Sequence, residues 1–176
     1  MIADAEIPLG RNPLLQHVIE TYASETNKTA SVFRQFDLKD LAFRPHPRSS
    51  TTEDIFRHQL LSERRFFADF LGSAEADTGS VLPLQQTPEA FAIRLEELAR
   101  PRLEFLAGQH DEWWMENSRF FDVERQRIWI FWRRVLHSAH HRTQLTVYLR
   151  LLEKKVVSVY GPTADVTWTG ADPTLV

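Results

Sequence analysis

Apolar residues recur every three to four positions over four stretches of this chain, separated by segments rich in Pro, Gly and small polar residues. That period is the signature of helices that bury one face. The first stretch opens at Asn12, a favoured N-cap, with Pro13 at the first helical position, where its missing N–H is no loss. It carries Leu14, Leu15, Val18, Tyr22, Ala30, Val32, Phe33 and Phe36, and runs to about residue 36. A polar middle over residues 24–29 interrupts the stripe and faces either solvent or a pocket. The segment LAFRPHPRSS follows, and its Pro45 and Pro47 predict an extended connection.

The second helix is predicted over residues 51–71, with Ser50 and Glu53 in a capping-box pattern. Its stripe is Ile55, Leu61 or Ser62, Phe66 and Phe70, and His58 falls on the same side, toward the core. Residues 72–86 lack a helical period and read as a long connection that permits a crossover. A third helix begins at Thr87 with Pro88 at its first position, continues through Phe91, Leu95, Leu98, Leu103 and Leu106, bends at Pro101 and ends at Gly108. Residues 109–121, with Trp113, Trp114, Phe120 and Phe121, read as an irregular connection packed over one end of the helices. The fourth helix, over residues 122–153, is the longest; Ile128, Trp132, Val135, Ala139, Thr146, Leu149 and Leu152 form its seam. His137, His141, Gln144 and Tyr148 line an adjacent stripe. Past Lys155, VVSVYGPTADVTW reads as an extended tail with a Gly-Pro turn. Four amphipathic helices and no strand run of consequence predict an all-α four-helix bundle, with residues 1–176 as a single domain.

Composition narrows the chemistry. The chain has 176 residues, 43% of them hydrophobic and 26% charged, which is ordinary for a globular protein. Its net charge of −3 is spread, with only short basic pairs such as Arg64-Arg65 and Arg133-Arg134, so no nucleic-acid partner is expected. The apolar run over 128–132 is too short to span a bilayer, and the N-terminus lacks the basic and apolar regions of a signal peptide. The expectation is therefore a soluble cytoplasmic protein with no membrane partner. With no cysteine, disulfides, thiolate ligands and a cysteine nucleophile are excluded, and any thiol chemistry must use a borrowed thiol.

The candidate chemistry lies in HSAHHRTQLTVYLRLL, residues 137–152. His137 and His141 are four apart, so both imidazoles lie on one helix face and can point at one ion. His137 and His140 are also neighbours on a helix surface, so the spacing alone leaves both pairings open. A catalytic site usually takes three protein ligands, and the third must come from another element.

The run HSAHHRTQLTVYLRLL, followed by VYGPTAD and preceded by RHQLLSERRF on the second helix, resembles the DinB family (DinB/YfiT-like metalloenzymes) over most of the chain. That resemblance implies a four-helix bundle in up-down-down-up order with a three-histidine divalent metal site: His58 from helix two, His137 and His141 from helix four. Neutral imidazole ligands suit zinc, nickel or iron as the ion. His140 matches a frequent family histidine but points away from the pair. Thr143 stands where family members often have Gly, a bulkier β-branched residue at a packed helix surface.

Characterised relatives include transferases and isomerases that use low-molecular-weight thiols, and others described as hydrolases. The reading that follows is a metal-dependent thiol S-transferase or hydrolase acting on a small molecule. Glu63 is a candidate proton acceptor, and Gln144 and Tyr148 are candidates to orient substrate. The alternative is a non-catalytic metal-binding or stress-response bundle, with a homodimer expected in either case and Trp113 or Trp168 as interface aromatics. A ferritin-like di-iron bundle is disfavoured because no Glu-x-x-His pair occurs.

Overall fold

The computed structural model describes residues 1–167. Trp168 lies outside them. The described chain is mostly helical, with α1 (Gln16–Phe33), α2 (Thr52–Arg65), α3 (Pro88–Ala107), α4 (Asp111–Met115), the hairpin strands β1 (Asn117–Phe120) and β2 (Val123–Gln126), and α5 (Arg127–Leu151).

The helix starts follow the cap chemistry of the sequence. Asn12 accepts a hydrogen bond from the Leu14 amide and opens a 3-10 turn, Pro13–Leu15, that leads into α1. The capping box of α2 sits one residue later than expected: Thr51 and Asp54 satisfy each other's amides, because both side chains fit the reciprocal bonds. Thr87 caps α3, which runs on without interruption through Pro101. Beyond Arg65 the α2 backbone widens into a π-helical turn, Phe66–Leu71, and stops at Gly72, whose φ of 80° is left-handed.

Residues 109–126 correct the sequence reading. The expected irregular connection is the short helix α4 followed by an antiparallel hairpin, so α5 begins at Arg127 rather than at residue 122. The strands are only four residues each, below the length at which alternation can be told from chance. Trp114 and Phe120 enter the core, and Trp113 is half-buried rather than exposed. The segment before α2 also differs in part, since Leu38–Ala42 forms a 3-10 turn.

α1 packs along α3 and α5, and α2 packs against α5 and α3. Two apolar clusters result. One gathers Tyr22, Phe67, Leu103, Trp114 and Phe131; the other is built around Phe33, Phe56, Phe91, Leu145 and Leu149. Phe33 and Phe56 stack with ring centroids 3.8 Å apart. Burying an aromatic ring of this kind contributes roughly 2–3 kcal/mol relative to exposure.

Buried charge accompanies the two clusters. Glu25, Thr26 and Thr29, from the polar middle of α1, are buried, so that segment faces inward rather than to solvent. Arg142 of α5 meets Glu25 at 2.6 Å and also bonds the Glu25 carbonyl and Thr29 hydroxyl. Tyr160 of the C-terminal tail bonds both Arg142 and Glu25, which fastens the tail across α1 and α5. Among the described residues no helix is long and apolar enough to cross a membrane.

Candidate metal centre

α2 and α5 lie side by side and bring three imidazoles together. His58 Nε2 is 3.4 Å from His137 Nε2, and His141 Nε2 is 3.2 Å from His137 Nε2. One ligand nitrogen from each of the three lies within 4.8 Å of the others. Nitrogens bound tetrahedrally to zinc at about 2.0–2.1 Å are separated by about 3.3 Å, so the donor set fits one divalent ion. All three donors are neutral nitrogen bases, which suits zinc, nickel or ferrous iron.

His58 is exposed, and His137 and His141 are half-buried. The expectation that His58 faces the core is therefore corrected: it stands at the solvent edge of the α2–α5 seam, because its partners across the seam are polar imidazoles rather than apolar side chains. The cluster is consequently reachable from solvent. Burial, reinforced by the Arg134 charge and the other two histidines, pushes the His137 imidazole down to about 3. Partial desolvation of its seam-facing side and the Arg134 charge lower His58, and burial lowers His141. All three rings are neutral at pH 7, the form that ligates a metal.

The residues around the rings form a layered support. Gln144 Oε1 lies 2.8 Å from His141 Nδ1, so this side chain holds a histidine. Arg134, one turn before His137, contacts His137 Nδ1 at 2.9 Å. Its guanidinium is fixed from below by Glu63 at 2.9 Å, by the Gln59 carbonyl and amide oxygens, and by the Ser62 hydroxyl. Glu63 also pairs with Arg102 at 3.0 Å and accepts the Tyr22 hydroxyl at 2.5 Å. Burial opposes ionisation of Glu63, but Arg134 and Arg102 outweigh it and hold the carboxyl below the usual range. Glu63 thus sits beneath the cluster as a buried counterion.

Tyr148 is buried, packs edge-on against Phe43 and donates to the Ser50 carbonyl at 3.0 Å, so its hydroxyl is engaged away from the histidines. His140 is exposed beside His141 and stays outside the ligand cluster. Thr143 is exposed rather than at a packed surface, with its hydroxyl bonded to the Ala139 carbonyl.

Sequence reasoning missed Arg134 and Gln59 as parts of the site. An arginine within a helical seam reads as a solvated charge, and only the carboxylate brought to it by another helix makes its burial tolerable. The one local signal is the three-residue spacing from Arg134 to His137.

The family model of the DinB family matches residues 10–169. The chain belongs to the DinB family. Solved structures of the family share its fold. A DinB-like protein from Bacillus cereus ATCC 10987 aligns with a TM-score of 0.73 at 19% identity, over 83% of this chain and 97% of that one. A DinB-like protein from Bacillus subtilis gives 0.64 at 18%, covering 79% and 93%, respectively. A third, assigned to the DinB family, from Exiguobacterium sibiricum 255-15, gives 0.62 at 21%, covering 89% and 99%. No curated protein matches the chain.

Proposed function

We propose that this DinB-family chain is a metal-dependent enzyme, a thiol S-transferase or hydrolase acting on a small molecule, with His58, His137 and His141 as ligands. The observation that carries the reading is the convergence of three neutral imidazole nitrogens from two helices at a solvent-reachable edge. A divalent ion held there supplies Lewis acidity, lowering the pKa of a water or thiol toward neutrality. The chain's own part is positional. Gln144 orients His141, Glu63 fixes Arg134, and Arg134 in turn abuts His137. Glu63 acts in this reading as a positioning residue, and Tyr148 as packing at the seam. The absence of cysteine fits a thiol brought as co-substrate.

We further propose that the four long helices close as a four-helix bundle in up-down-down-up order, a reading supported by their pairwise packing. The proposed assembly is a homodimer. Its support is an exposed stripe on α5, where Leu136 is 63%, Val147 51% and Leu151 56% accessible.

Elemental analysis of untagged protein tests the metal reading. About one divalent ion per chain is expected, lost in His58→Ala, His137→Ala and His141→Ala variants whose circular dichroism matches the parent. Metal content unchanged by these substitutions would refute the ligand assignment. Loaded protein that turns over neither thiol-conjugation nor ester substrates would favour the non-catalytic alternative.

A further inference from the structure

We infer that Arg134 is a positioning residue that decides which nitrogen of His137 carries the proton and thereby weakens the site's hold on its ion. The inference rests on the metal reading above, but its first observation is a contact between two protein side chains. A guanidinium has donors only, so the 2.9 Å contact makes His137 Nδ1 the acceptor. In a neutral ring the proton then sits on Nε2, the atom that points into the cluster.

The neighbours complete a consistent chain. His141 Nδ1 faces the Gln144 amide oxygen at 2.8 Å and must donate to it, which leaves His141 Nε2 with a free lone pair. That lone pair lies 3.2 Å from His137 Nε2 and accepts a hydrogen bond from the N–H there. The two α5 rings are thus assigned one tautomer each: protonated on Nε2 at His137, on Nδ1 at His141.

Metal-ligating histidines ordinarily give their second N–H to an acceptor. Gln144 provides this for His141, whereas Arg134 presents His137 with the reverse. For His137 to ligate through Nε2, its proton must pass by way of solvent to Nδ1, where it meets the Arg134 N–H head-on. Arg134 cannot readily turn aside. It is only 2% exposed, and Glu63, Gln59 and Ser62 hold its two terminal nitrogens. The two ends of the pair on α5 therefore act in opposite directions: Gln144 strengthens ligation and Arg134 weakens it. The result is a site whose ion is held less tightly, and is more exchangeable, than three well-supported histidines would give.

Two measurements decide this. Long-range proton–nitrogen spectra of the metal-free wild-type protein at pH 7 are expected to show His137 protonated on Nε2 and His141 on Nδ1. A His137 ring protonated on Nδ1 overturns the inference, and no variant is needed to learn this. The second is affinity for zinc sulfate, read by chelator competition. Arg134→Gln is expected to bind on the order of tenfold tighter and Gln144→Leu on the order of tenfold weaker than the parent. Weaker binding by a folded Arg134→Gln also overturns it. Should that variant fail to fold, the tautomer spectrum remains decisive. Zinc stoichiometry of the wild type separately tests the three-histidine reading, so the two can fail independently.

Discussion

Proton competition at the histidines is expected to begin only in acid. Burial and the Arg134 charge lower all three rings, His137 to about 3, so the ordinary imidazole value near 6.5 is an upper bound for each. Divalent affinity should therefore stay level from about pH 8 to 6.5 and fall only below that, where free imidazole is already half protonated. A zinc titration repeated across this range checks it; a steep loss between pH 8 and 7 would show that the rings are not held as described. The same residue scale explains the division of labour among the polar side chains. Gln144 and Arg134 touch imidazoles, Glu63 touches Arg134, and Tyr148 touches only the seam.

Between elements, Glu63 is the knot. It lies on α2 and binds Arg102 of α3, Arg134 of α5 and Tyr22 of α1. Removing one member of a buried ionic group leaves its partners uncompensated, which costs about 3–5 kcal/mol. Glu63→Gln is therefore expected to lower stability to urea by about 3 kcal/mol or more, against under about 1 kcal/mol for a surface carboxylate such as Glu89. The pH dependence has a definite sign. The folded-state pKa of Glu63 lies below 4.5, so its contribution is present in full above that value and lost as pH falls through the folded value. The acid limb of a stability–pH profile should accordingly flatten in Glu63→Gln. An unchanged acid limb would assign acid sensitivity to other carboxylates, of which Glu25, held down by Arg142 against its own burial, is the foremost.

For the whole molecule, the exposed α5 stripe predicts self-association. Leu136→Glu combined with Val147→Glu is expected to shift the sedimentation coefficient from dimer to monomer without loss of helicity; a wild-type protein that sediments as a monomer at tens of micromolar would end the homodimer proposal. The family, the four long helices and the three histidines that meet at the α2–α5 seam were legible in the chain once its family resemblance was used. Helix caps and apolar periodicity are local, whereas the histidine spacing on one helix left two pairings open and only the family resemblance chose among them. The hairpin over residues 117–126 was not legible, because four-residue strands carry too few alternations, and neither was the one-residue shift of the α2 cap from Ser50 to Thr51. The orientation of the polar middle of α1 was undecidable locally, since Glu25 and Thr29 are buried only because Arg142 arrives from α5. The exposure of His58 and the place of Arg134 belong to the same class. What the sequence by itself determined is the family, the long helices and the helices that carry the histidines. What only the tertiary structure decided is which buried charges face one another, because the energy of a charge in the interior depends on partners distant in sequence, and no spacing along one helix records them.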